Sequence, residues 1–425
     1  MQRFIHLRVQ RIPHGRAVAS DSTRDKLPVA APRPAVALLT GGGDRPYVLG
    51  LTQSLTAAGV ALEVIGSDFI DVPELRNNPG VHFLNLRGDM SPEASTIRKA
   101  ARITRYYLRI LRYAIVSKPR VFHILWNGRL EYLDRTVLSL FFRLCGKHIA
   151  RTVHNVNAGK RDGKDGAMNR LTLRAQYSLC DHMFVHTEQM KQELCSEYSV
   201  PARKVSVIPF GINDTVPDTG LAPAEARKLL RLTEFDPVLL FFGNIAPYKG
   251  LEHLVEALAI VVTTFPHCCL VIAGRPKGSE QYWAAIERRI DDLGIAANVV
   301  RRIEYVPDAE TEIYFKAADV LLLPYVSVFQ SGVLVLGYNF GLPVIATNVA
   351  SLKDDVLEGE TGFVCEPASR TSLAAAIRRF LASDIYKRPD LHRSVVKEYA
   401  IKKYSWTTVA DLTSRIYADL LRSSR

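Results

Sequence analysis

No apolar run in the 425 residues reaches the roughly 20 that a membrane-spanning helix needs; segments such as 320–324 are short and have the length of buried strands. The six cysteines, at 145, 180, 195, 268, 269 and 365, form no C-x-x-C pair and sit near no histidine at zinc-finger spacing. They read as reduced, mostly buried thiols, and the expected compartment is the cytosol. The first residues lack the apolar stretch of a secretory signal. Residues 1–20 do carry Arg3, Arg8, Arg11 and Arg16 without an acid, a faint likeness to a transit peptide. A disordered basic leader over 1–33, or a start codon placed too early, is the simpler expectation.

With 48% apolar residues mixed throughout with charged ones, the chain reads as globular, and its length suits two domains better than one core. The net charge of +12 is unevenly placed. Residues 1–205 hold 31 Lys and Arg against 17 acids, whereas residues 206–425 hold 24 against 26. The basic half therefore favours an anionic partner, an acidic membrane surface or nucleic acid.

Strand-length apolar runs alternate with helical patterns. In the first half they are 35–39, 61–65, 81–84, 121–125, 148–153, 183–186 and 205–209. A stretch of Asp, Pro, Gly and Thr without periodicity follows at 214–223, as in a linker. Strand-like runs resume at 238–242, 270–273, 299–301, 320–323, 343–346 and 362–364. The expectation is an α/β chain of two doubly wound Rossmann-like domains facing a cleft, with a ligand at the C-terminal ends of the strands. The domains are expected at 34–213 and 224–395, with 396–425 as a closing helix that returns to the first.

Several segments carry chemistry. Phe242–Gly243–Asn244 leads through a glycine turn to Lys249–Gly250 and an amphipathic helix. A lysine in the first turn of that helix adds a full charge to a helix end that already attracts anions; an ordinary surface lysine is the bland alternative. Gln330, Ser331, Gly332 and Val333 open another helix, where free backbone amides can meet phosphate or sugar oxygens. The Gly341–Leu342–Pro343 turn is a helix cap and also a phosphate-side candidate. Gly41, Gly42 and Gly43 follow the first strand as a tight turn, although G-x-G-x-x-G is incomplete. His154 ends a strand beside Asn155, and His186 is a weaker candidate of the same kind.

The order and spacing of these segments resemble family 4 glycosyltransferases of the GT-B fold. Phe242–Gly250 looks like the family's G-R-x-x-x-x-K-G segment, and 204–213 like its V-x-V-I-P-N-G-V-D signature. His154–Asn155 is similar to the H-N segment near the reacting sugar. The closing Tyr404–Ser405–Trp406 with Tyr417 resembles the final helix, which in the fold crosses back to the first domain. The resemblance implies transfer of a sugar from a nucleotide diphosphate sugar to a glycan or lipid-linked acceptor, with retention of configuration. Lys249 and His154 would act in catalysis; Gly243, Asn244, Gly250, Gln330, Ser331, Gly332 and Val333 would hold the donor. The loop of Gly41, Gly42 and Gly43 would lie on the acceptor side, and no cofactor beyond the donor is implied. No D-x-D appears, so no metal ligand is assigned.

The departures are specific. Counted back from Gly341, the family's E-x7-E positions hold Val328 and Leu336, and the usual arginine after the strand glycine is Asn244. Q-S-G-V in the donor loop resembles a branch of the family. A donor-binding relative without turnover, acting as a partner subunit, is the alternative these departures leave open.

Residues 96–117 have a helical pattern in which Arg98, Arg102, Arg105, Arg109 and Arg112 fall on one face, opposite Ile103, Tyr107, Ile110 and Ala114. A solvated face is the ordinary reading. The sharper one is contact with anionic lipid, which would place the protein on the inner face of the membrane. Tyr106, Tyr107 and Tyr113 interleave with the arginines, but no nucleic-acid reader motif accompanies them, so nucleic acid ranks below lipid.

Overall fold

The computed structural model describes residues 36–423 apart from 43, 92–93, 162–163, 213–215, 277 and 329; the leader expected over 1–33 and Gly43 lie outside the described residues. Two parallel sheets carry the chain. The first contains β1 (Val36–Leu39), β2 (Leu62–Gly66), β3 (Val81–Asn85), β4 (Val121–Ile124), β5 (His148–Thr152), β6 (His182–Val185) and β7 (Val205–Val207). Their order is β3-β2-β1-β4-β5-β6-β7. The second contains β8 (Val238–Phe242), β9 (Cys269–Ala273), β10 (Val299–Arg302), β11 (Val320–Leu323), β12 (Val344–Thr347) and β13 (Gly362–Cys365). Their order is β10-β9-β8-β11-β12-β13.

Each strand falls where its apolar run places it, with ends moved by no more than two residues. β1, β4, β8, β9, β11 and β12 are buried along their whole length, apart from the half-buried Phe242 at the end of β8. Burial on both faces is why they read as continuous apolar runs rather than alternating ones. Helices cover both faces of each sheet, giving two cores per domain. In both sheets the strand order reverses beside the first strand, at β1–β4 and β8–β11, and a crevice opens there at the carboxyl ends.

The expected linker is anchored rather than loose. The buried Glu312 carboxylate accepts hydrogen bonds from the amides of Thr219 and Leu221 and from the Thr219 hydroxyl at 2.8–3.1 Å, while Asp218 pairs with Lys316 and Lys397. The closing segment also differs from the expected division at 396, which falls inside one helix, Pro389–Lys403. That helix packs on Gly332–Asn339 of the second domain. The crossing is made at Tyr404–Ser405, and the helix Trp406–Arg422 then lies on Arg45–Ala57 of the first domain. Val409, Ala410 and Tyr417 enter the first domain's core.

The two crossings lock together. The Ile212 amide donates to Tyr404 O at 2.9 Å, and Trp406 Nε1 donates to Ile212 O at 2.7 Å. A β-carbon at Gly50 would stand 2.2 Å from the Trp406 ring and one at Gly211 2.4 Å from it, so both positions must be glycine for the indole to fit. Trp406→Ala is expected to lower the unfolding free energy by about 2–4 kcal/mol through a lost hydrogen bond and a void between the domains. Urea unfolding of the purified variant measures this, and an unchanged midpoint would remove the indole from the lock.

Candidate active site

Between the two sheets lies a cleft of about 610 Å³. Its second-domain wall starts at the end of β8. Gly243 turns there at φ +93°, and Gly274 packs so closely that a β-carbon on it would meet Gly243 O at 1.9 Å. The next residues descend to a single 3-10 turn, Pro247–Lys249, and the long helix starts only at Leu251. Lys249 is thus one residue short of the helix it was expected to open. Gly250 intervenes in the left-handed region at φ +64° and lies against Pro324 O, where a β-carbon would approach to 2.2 Å. Gly250 lies outside the cleft lining, and its glycine serves this close approach.

The geometry buries Lys249. Its side chain passes between the rings of Tyr325 and Phe241, with Nζ 5.4 and 5.6 Å from their centroids, and Nζ donates to Phe242 O at 3.4 Å. It is 5% exposed and pairs with no acid among the described residues. Burial without a counter-charge pulls its ammonium down to about 8. A β-carbon at Gly243 would lie 3.1 Å from Lys249 Nζ and 3.4 Å from Val333, so the glycine, the cation and the start of the next helix converge.

That helix is Gly332–Asn339. Ser331 is its N-cap: Ser331 Oγ accepts from the Leu334 amide at 3.2 Å and contacts the Tyr325 hydroxyl at 3.4 Å. Gln330 lines the cleft, and its buried Oε1 has no partner among the described residues. Val328 and Leu336, at the positions where the family carries glutamates, also line it. Gly341 does not; it turns at φ +69° against the Arg393 backbone, at the far end of this helix. The phosphate-side role expected for that turn is therefore corrected to a close helix contact.

The opposite wall comes from the first domain. His154 lies flat against Trp126, with centroids 4.3 Å apart and 3° between planes, and meets Tyr47 edge-on at 4.9 Å. Its Nδ1 is 3.3 Å from His186 Nε2, and its Nε2 is buried without a partner among the described residues. Burial, followed by the nearby His186 and His123, holds its imidazole well below the ordinary histidine value. His186 stands behind it, outside the lining, with Nδ1 against Ile208 O, and burial brings it down to about 4. Both rings are neutral at pH 7.

Gly41 and Gly42 lie outside the lining too. A β-carbon on Gly41 would strike Trp126 O at 2.2 Å, and one on Gly42 would meet the Arg87 guanidinium at 2.8 Å. From this loop the cleft receives Asp44, Pro46 and Tyr47 instead. Asp44 caps the helix Arg45–Ala57 by accepting from the Tyr47 amide at 3.3 Å, and burial raises its pKa. Across the mouth, Arg45 pairs with Asp308 at 3.4 Å.

Sequence reading missed Tyr47, Trp126, Phe210 and Arg275 in the lining. Each follows a strand end or a helix cap, and that placement is the one available signal. Arg275, directly after the Gly274 turn, lies 5.3 Å over the Tyr305 ring.

The arrangement can hold an anion at the Lys249 floor and a polar ring against the aromatic wall. Residues 41–216 match the Glycosyltransferase Family 4 family, and residues 236–383 match Glycosyl transferases group 1. An uncharacterised glycosyltransferase of Methanocaldococcus jannaschii is 25% identical over 88% of this chain and 94% of its own length. A D-inositol 3-phosphate glycosyltransferase of Streptomyces avermitilis is 27% identical over 90% and 84%. Among solved structures, a sucrose-phosphate synthase of Thermosynechococcus elongatus superposes with a TM-score of 0.72 at 20% identity, covering 92% of this chain and all of that one. HepE of Anabaena, solved with UDP and glucose, gives 0.69 at 14%, covering 91% and 100%. With both halves matched to glycosyltransferase families and the two-sheet fold shared with these structures, the chain is a glycosyltransferase of the GT4/GT-B superfamily.

Proposed function

We propose that the protein transfers a sugar from a nucleotide diphosphate sugar to a glycan or lipid-linked acceptor, with retention of configuration and without a metal. The carrying observation is Lys249, a buried cation paired with no acid among the described residues, which converges with Gly243 and the start of the helix Gly332–Asn339. A diphosphate at this floor would supply the missing negative charge. As the bond to the sugar breaks, charge grows on the leaving diphosphate, and a fixed ammonium stabilises that state more than the ground state. The opening amides of the helix, with Gly243 and Asn244, would hold phosphate oxygens, and Gln330 would face the sugar.

On the other wall, His154 is neutral and able to share one hydrogen bond with a sugar hydroxyl while Trp126 and Tyr47 fix the plane of its ring. Retention rests on the likeness to the family, and transfer without metal on the absence of D-x-D from the sequence. With Val328 and Leu336 in the cleft, no carboxylate from those positions reaches the donor. Donor binding without transfer is the reading that those two residues favour.

Lys249→Ala is expected to cut turnover about a hundredfold in a folded protein; nucleotide release from a panel of nucleotide sugars measures it, and near-normal release would sink the assignment. Before the donor binds, Lys249 is charged below about pH 8, so kcat/KM for the donor should fall as pH rises above that value. The fall in kcat should come at higher pH, because bound diphosphate favours the charged form. A donor kcat/KM that stays flat to pH 9.5, about 1.5 units past that pKa, would contradict this role. His154→Ala should lower kcat about tenfold or more. Because its imidazole is already neutral, the wild-type profile should lack a histidine limb near pH 6.5.

A further inference from the structure

The helix over residues 131–144 buries charged groups and exposes a stripe of apolar ones. Its inward side is mixed: Asp134 and Arg135 are 5% and 6% exposed, and Ser139 is buried with them beside the core residues Leu138 and Phe142. Asp134 accepts hydrogen bonds from the Tyr107 hydroxyl and the Gly128 amide, and Arg135 donates to Asn169 at 2.8 Å and pairs with Glu131. Its outward side is apolar. Leu133, Val137, Leu140 and Leu144 recur at 4, 3 and 4 residues and are 37%, 63%, 49% and 78% exposed. Within this chain nothing covers that stripe among the described residues, and an exposed apolar patch of this kind marks an interaction surface.

The helices on either side extend it. Tyr107 ties Thr96–Val116 to this segment, and that neighbour exposes Leu108 with Arg105, Arg109 and Arg112. Asn169 and Thr172 tie in Ala167–Leu179, which exposes Met168 and Leu171 with Arg170 and Arg174. More than half of the large apolar side chains exposed in the described structure lie between residues 97 and 171. Residues 101–150 contain ten Lys and Arg against two acids, Glu131 and Asp134. One acid faces inward and the other pairs with Arg135, so neither offsets the outward arginines.

We propose that this face docks on an anionic lipid bilayer, with the apolar stripe entering the headgroup region and the arginines meeting lipid phosphates. Charge complementarity selects this occupant. In a two-fold dimer the same cationic face would meet itself, whereas an anionic bilayer supplies both opposite charge and apolar depth. The surface deepens the lipid-linked branch of the acceptor reading, on which its functional meaning rests, and is independent of the donor chemistry. It also adjoins the cleft: Asn169, which receives Arg135, donates to Asn157, three residues beyond His154.

Co-flotation with vesicles tests the proposal, comparing phosphatidylcholine alone with phosphatidylcholine plus phosphatidylglycerol at low and high salt. The wild-type chain should float with the anionic vesicles and lose only part of its binding in high salt, the apolar share persisting. Val137→Ser combined with Leu140→Ser and Leu144→Ser should reduce bound protein by about tenfold or more at every salt concentration. Arg105→Glu with Arg109→Glu, both exposed and with only a 3.5 Å contact from Arg109 to Leu86 O, should remove the salt-sensitive part. Absence of wild-type binding to anionic vesicles, equal binding by all variants, or a dimer that the serine variant breaks in the absence of vesicle binding would each overturn it. Lys249→Ala should float like wild type, so a failure of the donor reading leaves this result untouched, and the reverse also holds.

Discussion

The crossing between the domains is the constraint from which the cleft follows. The chain passes between the domains twice, and Ile212 is bonded on both sides to the returning segment, through Tyr404 and through the Trp406 indole. Because Trp406 fills the space left open by Gly50 and Gly211, it holds the helix Arg45–Ala57 and the strand-end segment at Phe210 in one register. Tyr47, on that helix, then meets Trp406, Phe210 and His154 within 5.6 Å. The aromatic wall is therefore an extension of the lock, and the position of His154 against the second domain depends on it.

The two walls contribute opposite electrical character. The second domain offers one buried cation, backbone amides and glycine turns that let a ligand approach closely. The first offers neutral rings whose burial has stripped them of charge. On the proposed reading, a charged leaving group and an uncharged sugar would find suitable surroundings on the two facing walls. The Arg45–Asp308 pair joins the walls at the rim, but its partly exposed partners add little to the stability of the closed arrangement.

Most of the fold was legible because its determinants are local. Central parallel strands must be apolar on both faces, so β1, β4, β8, β9, β11 and β12 appeared as continuous runs, and glycines marked the turns after β1, β8 and β9. Lys249 was legible for the same reason, although its exact placement was not: the left-handed Gly250 separates it from the helix, and a glycine's φ is not written in its neighbours. What failed depends on long-range contact. Gly41, Gly250 and Gly341 looked like ligand loops, yet each is glycine because backbone from elsewhere comes within 2.2–2.4 Å of where a β-carbon would sit. Tyr47 and Trp126 gave no signal beyond their placement, since an aromatic residue near a strand end reads as core until the cleft beside it is known. The arginine row on Thr96–Val116 was visible from spacing, while the apolar stripe beside it was hidden. Leu133, Val137, Leu140 and Leu144 look like the buried side of a helix when the partners of Asp134 and Arg135 are unknown.

With apolar residues on both sides, segment 131–144 is a locally frustrated part of the folding landscape. In early collapse, burial of its outward stripe competes with the native burial of Leu138 and Phe142, and the two charged groups would then face outward at little cost. The native orientation becomes favourable only once Tyr107, Asn169 and Thr172 stand ready to receive Asp134 and Arg135. The helix should therefore consolidate after its neighbours have docked on the sheet. A segment that joins such an ordered set of polar contacts to the buried Leu138 and Phe142 has a single way to sit, which apolar packing alone would not have ensured.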